Sequence, residues 1–244
     1  MADTTGFYDR IGVTPIINAA GTLTSLGGSL MAPPVIEAMR SAAQSNVDMT
    51  ELHEAAGRYL ARLIGVEAVH ITACATAGIS LMAAACMTGC DRSKAQRLPD
   101  TRGMPGRFVV QRAHRTPFDR AVLLTGARFV EVGPDRRELR AALSNGAAGV
   151  YHTFAWFCDG EALPLPVVCS EAHAAGLPVI VDAAAELPPA ENLRCFLQMG
   201  ADLVTFSGGK ALAGPQSSGS SWGARHWWPR ARSTTLRTWR SAAA

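Results

Sequence analysis

The chain has 244 residues, 48% hydrophobic and 18% charged, the balance of a globular protein with a sizeable core. No apolar run reaches the ~20 residues a membrane span needs, and the start of the chain lacks a basic region followed by an apolar core, so a cytoplasmic protein without membrane contact is expected. Net charge is +3, but residues 220–244 hold five arginines, four of the five tryptophans and no acid, which leaves −2 for residues 1–219.

In chain order, a short lead (Phe7 to Asn18) runs into Asn18–Gly28, a loop rich in glycine and hydroxyls. A helix is predicted from Pro34 to about Ala43, since proline suits a first helical turn. Another follows Asp48, with Glu51 three residues on as a capping-box-like pair. Its apolar positions Leu52, Ala55/Ala56, Tyr59/Leu60 and Leu63 fall at helical spacing, and Gly65 supplies the stop. Strands then alternate with helices. Val69–Thr72, Arg107–Gln111, Arg128–Val132, Gly149–His152, Pro178–Asp182 and Asp202–Phe206 read as strands. Ala77–Thr88, Pro117–Thr125, Asp135 to about Ser144, Val167–Gly176 and Asn192–Met199 read as helices. This order implies an α/β fold, a mainly parallel sheet covered on both faces by helices, with ligands at the carboxyl ends of the strands.

One strand end stands out. Asp202–Phe206 breaks into Ser207-Gly208-Gly209-Lys210, and lysine is scarce: Lys94 and Lys210 stand against 21 arginines. An amine forms a Schiff base and a guanidinium does not, so this lysine suits nucleophilic chemistry. A Gly-rich turn carrying a solvated lysine is the competing reading. Three further strand ends carry chemistry. Cys74-Ala75-Thr76-Ala77-Gly78 leads into a helix N-terminus, an anion site by its N–H groups and dipole. His114 follows the second strand, where a plain surface histidine is the alternative. Asp182 ends the fifth-named strand, where a loop-stabilising acid is the alternative. A phosphate cradle, a flat stacking group, a buried acid and a Schiff-base lysine are together what pyridoxal 5'-phosphate requires. Six cysteines (Cys74, Cys86, Cys90, Cys158, Cys169, Cys195) show no C-x-x-C spacing, so buried free thiols are expected and a metal site is not.

The segments Ile17-Asn-Ala-Ala-Gly-Thr-Leu-Thr24, Val181-Asp-Ala-Ala-Ala-Glu-Leu-Pro-Pro189 and Thr205-Phe-Ser-Gly-Gly-Lys-Ala-Leu-Ala-Gly-Pro-Gln216 resemble the selenocysteine-synthase-like branch of fold-type-I pyridoxal phosphate enzymes, over roughly residues 7 to 219. That branch includes L-seryl-tRNA(Sec) selenium transferase and the D-glucosaminate-6-phosphate ammonia-lyases. The resemblance implies that Lys210 forms the Schiff base and, once freed, acts as base and acid at Cα. It implies that Asp182 pairs with the pyridinium nitrogen, that the backbone of Cys74 to Gly78 and Ser207 hold the phosphate, and that His114 stacks on the ring. Some fold-type-I branches place a polar residue three positions after the aspartate; here Ala185 stands there, with Glu186 next to it.

The implied organisation is an N-terminal segment (1–45), a cofactor-binding large domain (46–219) and an aberrant Arg/Trp-rich tail (220–244). The tail reads as a shifted frame or truncation, with the family's C-terminal small domain missing: 34 residues follow Lys210. The implied function is a lyase acting by Cα proton abstraction and β-elimination on a small amino acid or amino sugar acid, in a dimer or higher homo-oligomer. A selenium transferase and an inactive cofactor-binding fragment are the alternatives. The short stretch before Ile17 leaves no room for a tRNA-binding region, so nucleic acid is not expected as a partner.

Overall fold

The structure, a computed structural model, describes residues 6–158 and 160–227. Three helices come first: α1 (Phe7–Arg10), α2 (Pro33–Ala42) and α3 (Met49–Ile64). The Asp48 carboxylate accepts from the N–H groups of Thr50 (2.8 Å) and Glu51 (3.0 Å), and Gly65 ends α3 at φ 79°, the left-handed conformation glycine tolerates. The alternating part follows as β1 (Ala68–Thr72), α4 (Ala75–Thr88), α5 (Arg92–Arg97), β2 (Arg107–Gln111), α6 (Arg120–Leu123), β3 (Arg128–Val132) and α7 (Arg136–Leu143). It continues through β4 (Ala147–Thr153), α8 (Leu165–Ala174), β5 (Val179–Asp182), α9 (Asn192–Gln198), β6 (Leu203–Ser207) and β7 (Gly219–Gly223).

The strands form one sheet in the order β1-β7-β6-β5-β4-β2-β3. All pairings are parallel except those of β7, which lies antiparallel between β1 and β6. Helices α3, α7, α8 and α9 cover one face, through Ala61, Leu139, Leu143, Val168, Ala172 and Phe196. Helices α4 and α6 cover the other, through Ile79, Met82, Ala83 and Val122, joined there by Trp227. The mainly parallel sheet between helices is the architecture that the strand–helix alternation implies.

Four local expectations are corrected. Pro117–Thr125 is not one helix but a 3-10 turn, Pro117–Asp119, followed by the four-residue α6. Helix α5 lies between Gly89 and Arg107, where no element is expected, and is opened by the Asp91 carboxylate, which accepts from the N–H groups of Ser93 and Lys94. The cysteines are free, but among them only Cys169 is fully buried and Cys90 is exposed.

The fourth correction concerns the proposed boundary at residue 220, which falls inside β7. The sequence Gly-Ser-Ser-Trp-Gly has neither a β-branched run nor an apolar one, yet β7 is paired on both sides, Val69↔Trp222 with β1 and Val204↔Trp222 with β6. Ser221 faces α4: its Oγ donates to Thr205 Oγ1 at 3.1 Å, and a β-carbon on Gly78 would collide with both. Trp222 faces the opposite layer, 1% exposed, its ring stacked 4.3 Å from that of Phe206. Small residues on one face and a single large ring on the other fit a strand squeezed between a helix and a core, a pattern that hydrophobic alternation does not reveal. The remaining arginines of the expected tail, Arg230 to Arg240, lie outside the described residues.

Removing that ring leaves a cavity beneath β7, one strand in from the sheet edge. Trp222→Ala is expected to cost about 3–5 kcal/mol, read as a fall in the urea midpoint; a midpoint unchanged from wild type would place residue 222 outside the core.

Candidate active site

Strand register brings the reactive positions together. Thr153 on β4 lies beside Asp182 on β5, which lies beside Thr205 on β6. Thr72 and Ser207 flank Gly219 from either side. A β-carbon at Gly219 would meet the Cys74 backbone, so only glycine there lets the start of α4 settle against the sheet edge.

Lys210 sits in a loop that closes on itself: Gly208 N–H donates to Ser218 O (2.9 Å), Ala213 N–H to Lys210 O (2.8 Å) and Gly214 N–H to Gly208 O (2.8 Å). The N-terminal loop is stitched onto it. Ser29 N–H donates to Gly209 O (2.9 Å), and the Ser29 hydroxyl to Lys210 O (2.7 Å). Gly28, at φ 71°, lies so close to Gly209 and Gln216 that any side chain would push the two loops apart. The lysine is thus held from both ends of the chain.

A cavity of about 570 Å³ opens over this edge, within the size range of small-molecule sites. Lys210 and Asp182 both line it, and they are the one cation and the one anion among the described lining residues. Asp182 is 4% exposed. Its carboxylate accepts from Ala184 N–H (3.0 Å) and from the Tyr151 hydroxyl (3.3 Å). Burial pushes its pKa up, against the Ala184 hydrogen bond and the nearby Lys210 charge. Burial likewise lowers the Lys210 pKa, opposed by Asp182 and Glu186, so more of the neutral amine is present than on a surface lysine. Glu186, half-buried, is brought round by a turn in which its N–H donates to Ala183 O (3.1 Å), and burial raises its pKa. The other lysine is of a different kind: Lys94 is an exposed partner of Asp91 at 3.9 Å.

The other expected residues border this edge without lining the cavity. Cys74 caps α4, its thiol accepting from Ala77 N–H at 3.4 Å. Ala75 and Thr76, in the first turn, have no intrahelical acceptor for their N–H groups, which leaves these two to meet an anion. Gly78 does not join them: its N–H donates to Cys74 O (3.1 Å), and its missing side chain makes room for Ser221 and Thr205. The expectation that Gly78 binds phosphate is therefore corrected to a packing role. Ser207 ends β6 with its N–H on Ala184 O at 3.3 Å. His114 is 8% exposed, not a surface histidine, and its ring meets that of buried His152 edge-on at 4.0 Å. Burial lowers the pKa of both imidazoles, so both stay neutral near pH 7.

Several lining residues escape a motif reading. Thr22, Thr24 and Ser25 line the cavity, as do Phe118, Phe154, Trp156 and Phe157. The Phe154–Phe157 run, directly past the carboxyl end of β4, is the signal that places aromatics here.

The folded-state pKa of Asp182 lies above its unfolded value, so its contribution to stability is full below the unfolded pKa and is lost as pH rises through the folded one. In the cofactor-free chain at pH 8 the buried acid is a net cost. Asp182→Asn is expected to raise the melting temperature there by about 2–4 °C for each kcal/mol relieved, with the difference closing towards pH 4. A lower melting temperature at pH 8 would contradict this assignment.

No family model matches the chain. It is 37% identical to D-glucosaminate-6-phosphate ammonia lyase of Salmonella typhimurium, over 88% of this chain and 59% of that enzyme. It is also 37% identical to a Streptomyces 5'-C-glycyluridine monooxygenase-decarboxylase (86% and 54%), and 29% identical to L-seryl-tRNA(Sec) selenium transferase of Serratia proteamaculans (85% and 49%). A solved structure of D-glucosaminate-6-phosphate ammonia-lyase superposes with a TM-score of 0.88 at 35% identity, over 95% of this chain and 64% of that one. A pyridoxal-5'-phosphate dependent Escherichia coli protein shares the fold alone, at 20% identity and a TM-score of 0.57, over 85% and 51%. The chain spans about three fifths of the length of the first of these relatives. Over that span it is homologous to these enzymes, and its seven-stranded, mostly parallel sheet shares the fold of pyridoxal phosphate-dependent enzymes of fold type I.

Proposed function

We propose that the chain carries the cofactor site of a pyridoxal phosphate-dependent lyase acting on an amino acid or amino sugar acid. The observation that carries this reading is the half-buried Lys210 sharing one cavity with the buried Asp182. The residues present fit the cofactor: a buried carboxylate, an amine whose pKa burial lowers, free N–H groups at Ala75 and Thr76, and a hydroxyl at Ser207 on the same sheet edge.

Bound there, pyridoxal phosphate supplies an aldehyde for an amine to condense with and a ring that withdraws electrons when its nitrogen is protonated. Asp182, fixed by Ala184 N–H and Tyr151 O–H, holds a proton on that nitrogen. A cation placed against Asp182 also offsets the burial that otherwise raises its pKa. The N–H groups of Ala75 and Thr76 and the Ser207 hydroxyl hold the phosphate. His114, neutral and backed by His152, is the residue that would stack on the ring. Lys210 holds the cofactor and, once displaced by a substrate amine, takes the proton from the substrate Cα and returns one as the group on Cβ departs.

We further propose a homo-oligomer, in a reducing cytoplasmic setting. The N-terminal arm leaves large apolar side chains in water, Ile17 at 99% and Leu30 at 95% exposure, and α2 has no buried residue. Such a surface matches one covered by a second copy.

Two measurements test these readings. Borohydride added to the protein with pyridoxal phosphate is expected to fix the cofactor onto Lys210, seen by peptide mass, with Lys210→Ala unlabelled. Equal labelling of wild type and variant would refute the assignment. Light scattering after gel filtration is expected to give at least a dimer, dissociated by Leu30→Glu with Ile17→Glu; a monomeric wild type would remove the oligomer.

A further inference from the structure

Aromatic residues make up 7% of the chain, yet four of the residues lining the cavity are aromatic: Phe118, Phe154, Trp156 and Phe157. Phe154 is packed below, against Phe196 at 4.8 Å, and so belongs partly to the core. The others are not held there by packing. Trp156 is 83% exposed and Phe118 45%, apolar surface that folding leaves wet. Trp156 and Phe157 meet edge to face, 5.4 Å apart at 87°. The same cavity is also lined by the uncharged Thr22, Thr24 and Ser25. Lys210 is the one cation among the described lining residues, and it lies at the reactive end beside Asp182.

From this lining we infer the substrate class of the site: an amino acid whose side chain ends in an uncharged planar ring, an aryl group or a nucleobase, which lies against Trp156 and Phe118 while its amino group reaches Lys210. The inference rests on Lys210 and Asp182 forming the reactive end of the cavity. An open polyhydroxylated chain has no flat face to place on the aromatic residues. A ring gains stacking on one side and keeps its polar edge towards the threonine and serine hydroxyls. The aromatic residues thereby select by shape, and the hydroxyls by edge.

The test uses protein loaded with pyridoxal phosphate, titrated with phenylalanine, tryptophan, a uracil-bearing alanine and glucosaminate, following the cofactor absorbance. Ring-bearing amino acids are expected to bind about two- to tenfold more tightly than glucosaminate, a ratio in line with aromatic stacking. Phenylalanine against the uracil derivative separates aryl from nucleobase. Trp156→Ala with Phe118→Ala is expected to erase the preference while leaving the cofactor fixed on Lys210. Tighter binding of glucosaminate, or a ring preference that survives in the double variant, would overturn the inference. A second readout is independent of the cofactor: indole-free rings such as uridine are expected to quench emission of the cofactor-free protein, and not of Trp156→Phe. Quenching without cofactor fixation sinks the lysine reading and keeps the aromatic lining; fixation without quenching sinks the lining alone.

Discussion

Everything at the carboxyl edge of this sheet depends on the insertion of β7 between β1 and β6. Without it, β1 would have no partner, since each of its residues pairs with β7 alone. The insertion also dictates where glycine and serine must stand. Gly219 admits the Cys74 backbone, Gly78 admits Ser221 and Thr205, and α4 therefore lies close against the sheet, with its free N–H groups level with the end of β6. The anion-binding end of a helix and a lysine loop more than a hundred residues later become neighbours because one strand is thin on one face.

The second constraint is electrostatic. Asp182 and Lys210 are each unfavourable where they lie: burial raises one pKa and lowers the other. Each partly relieves the other, and Tyr151 and Ala184 hold the acid in a fixed pose. A fold gains nothing from such a pair that a leucine and an alanine would not supply better. Placing both at strand ends, over a cavity, is sensible when a ligand completes the charge balance.

Much of this was legible in the residues. Short apolar strands alternating with helices specify a parallel sheet, and Asp182 and Lys210 follow as strand-end residues on its ligand-binding edge. The Asp48 and Gly65 signals bound α3 correctly because capping is local chemistry. What escaped notice is what depends on partners distant in sequence. β7 has no strand signature of its own, its extended form being imposed by β1 and β6. Gly78 reads as part of a phosphate loop until Ser221 appears beside it. The hydroxyls at Thr22–Ser25 and the rings at Phe118–Phe157 come from stretches over 90 residues apart, and only the closed sheet brings them to one cavity.

The scarcity of lysine has a practical consequence for labelling. Apart from the terminal amine, the 244 residues offer two side-chain amines. One is an exposed surface partner of Asp91, and the other is recessed beneath a cavity with a pKa that burial depresses. An acylating reagent therefore finds an accessible amine at one position and a shielded one, with its pKa lowered by burial, at the other. The ratio of label between them is an internal gauge of how open the cavity stands in solution, with Lys94 as the built-in reference.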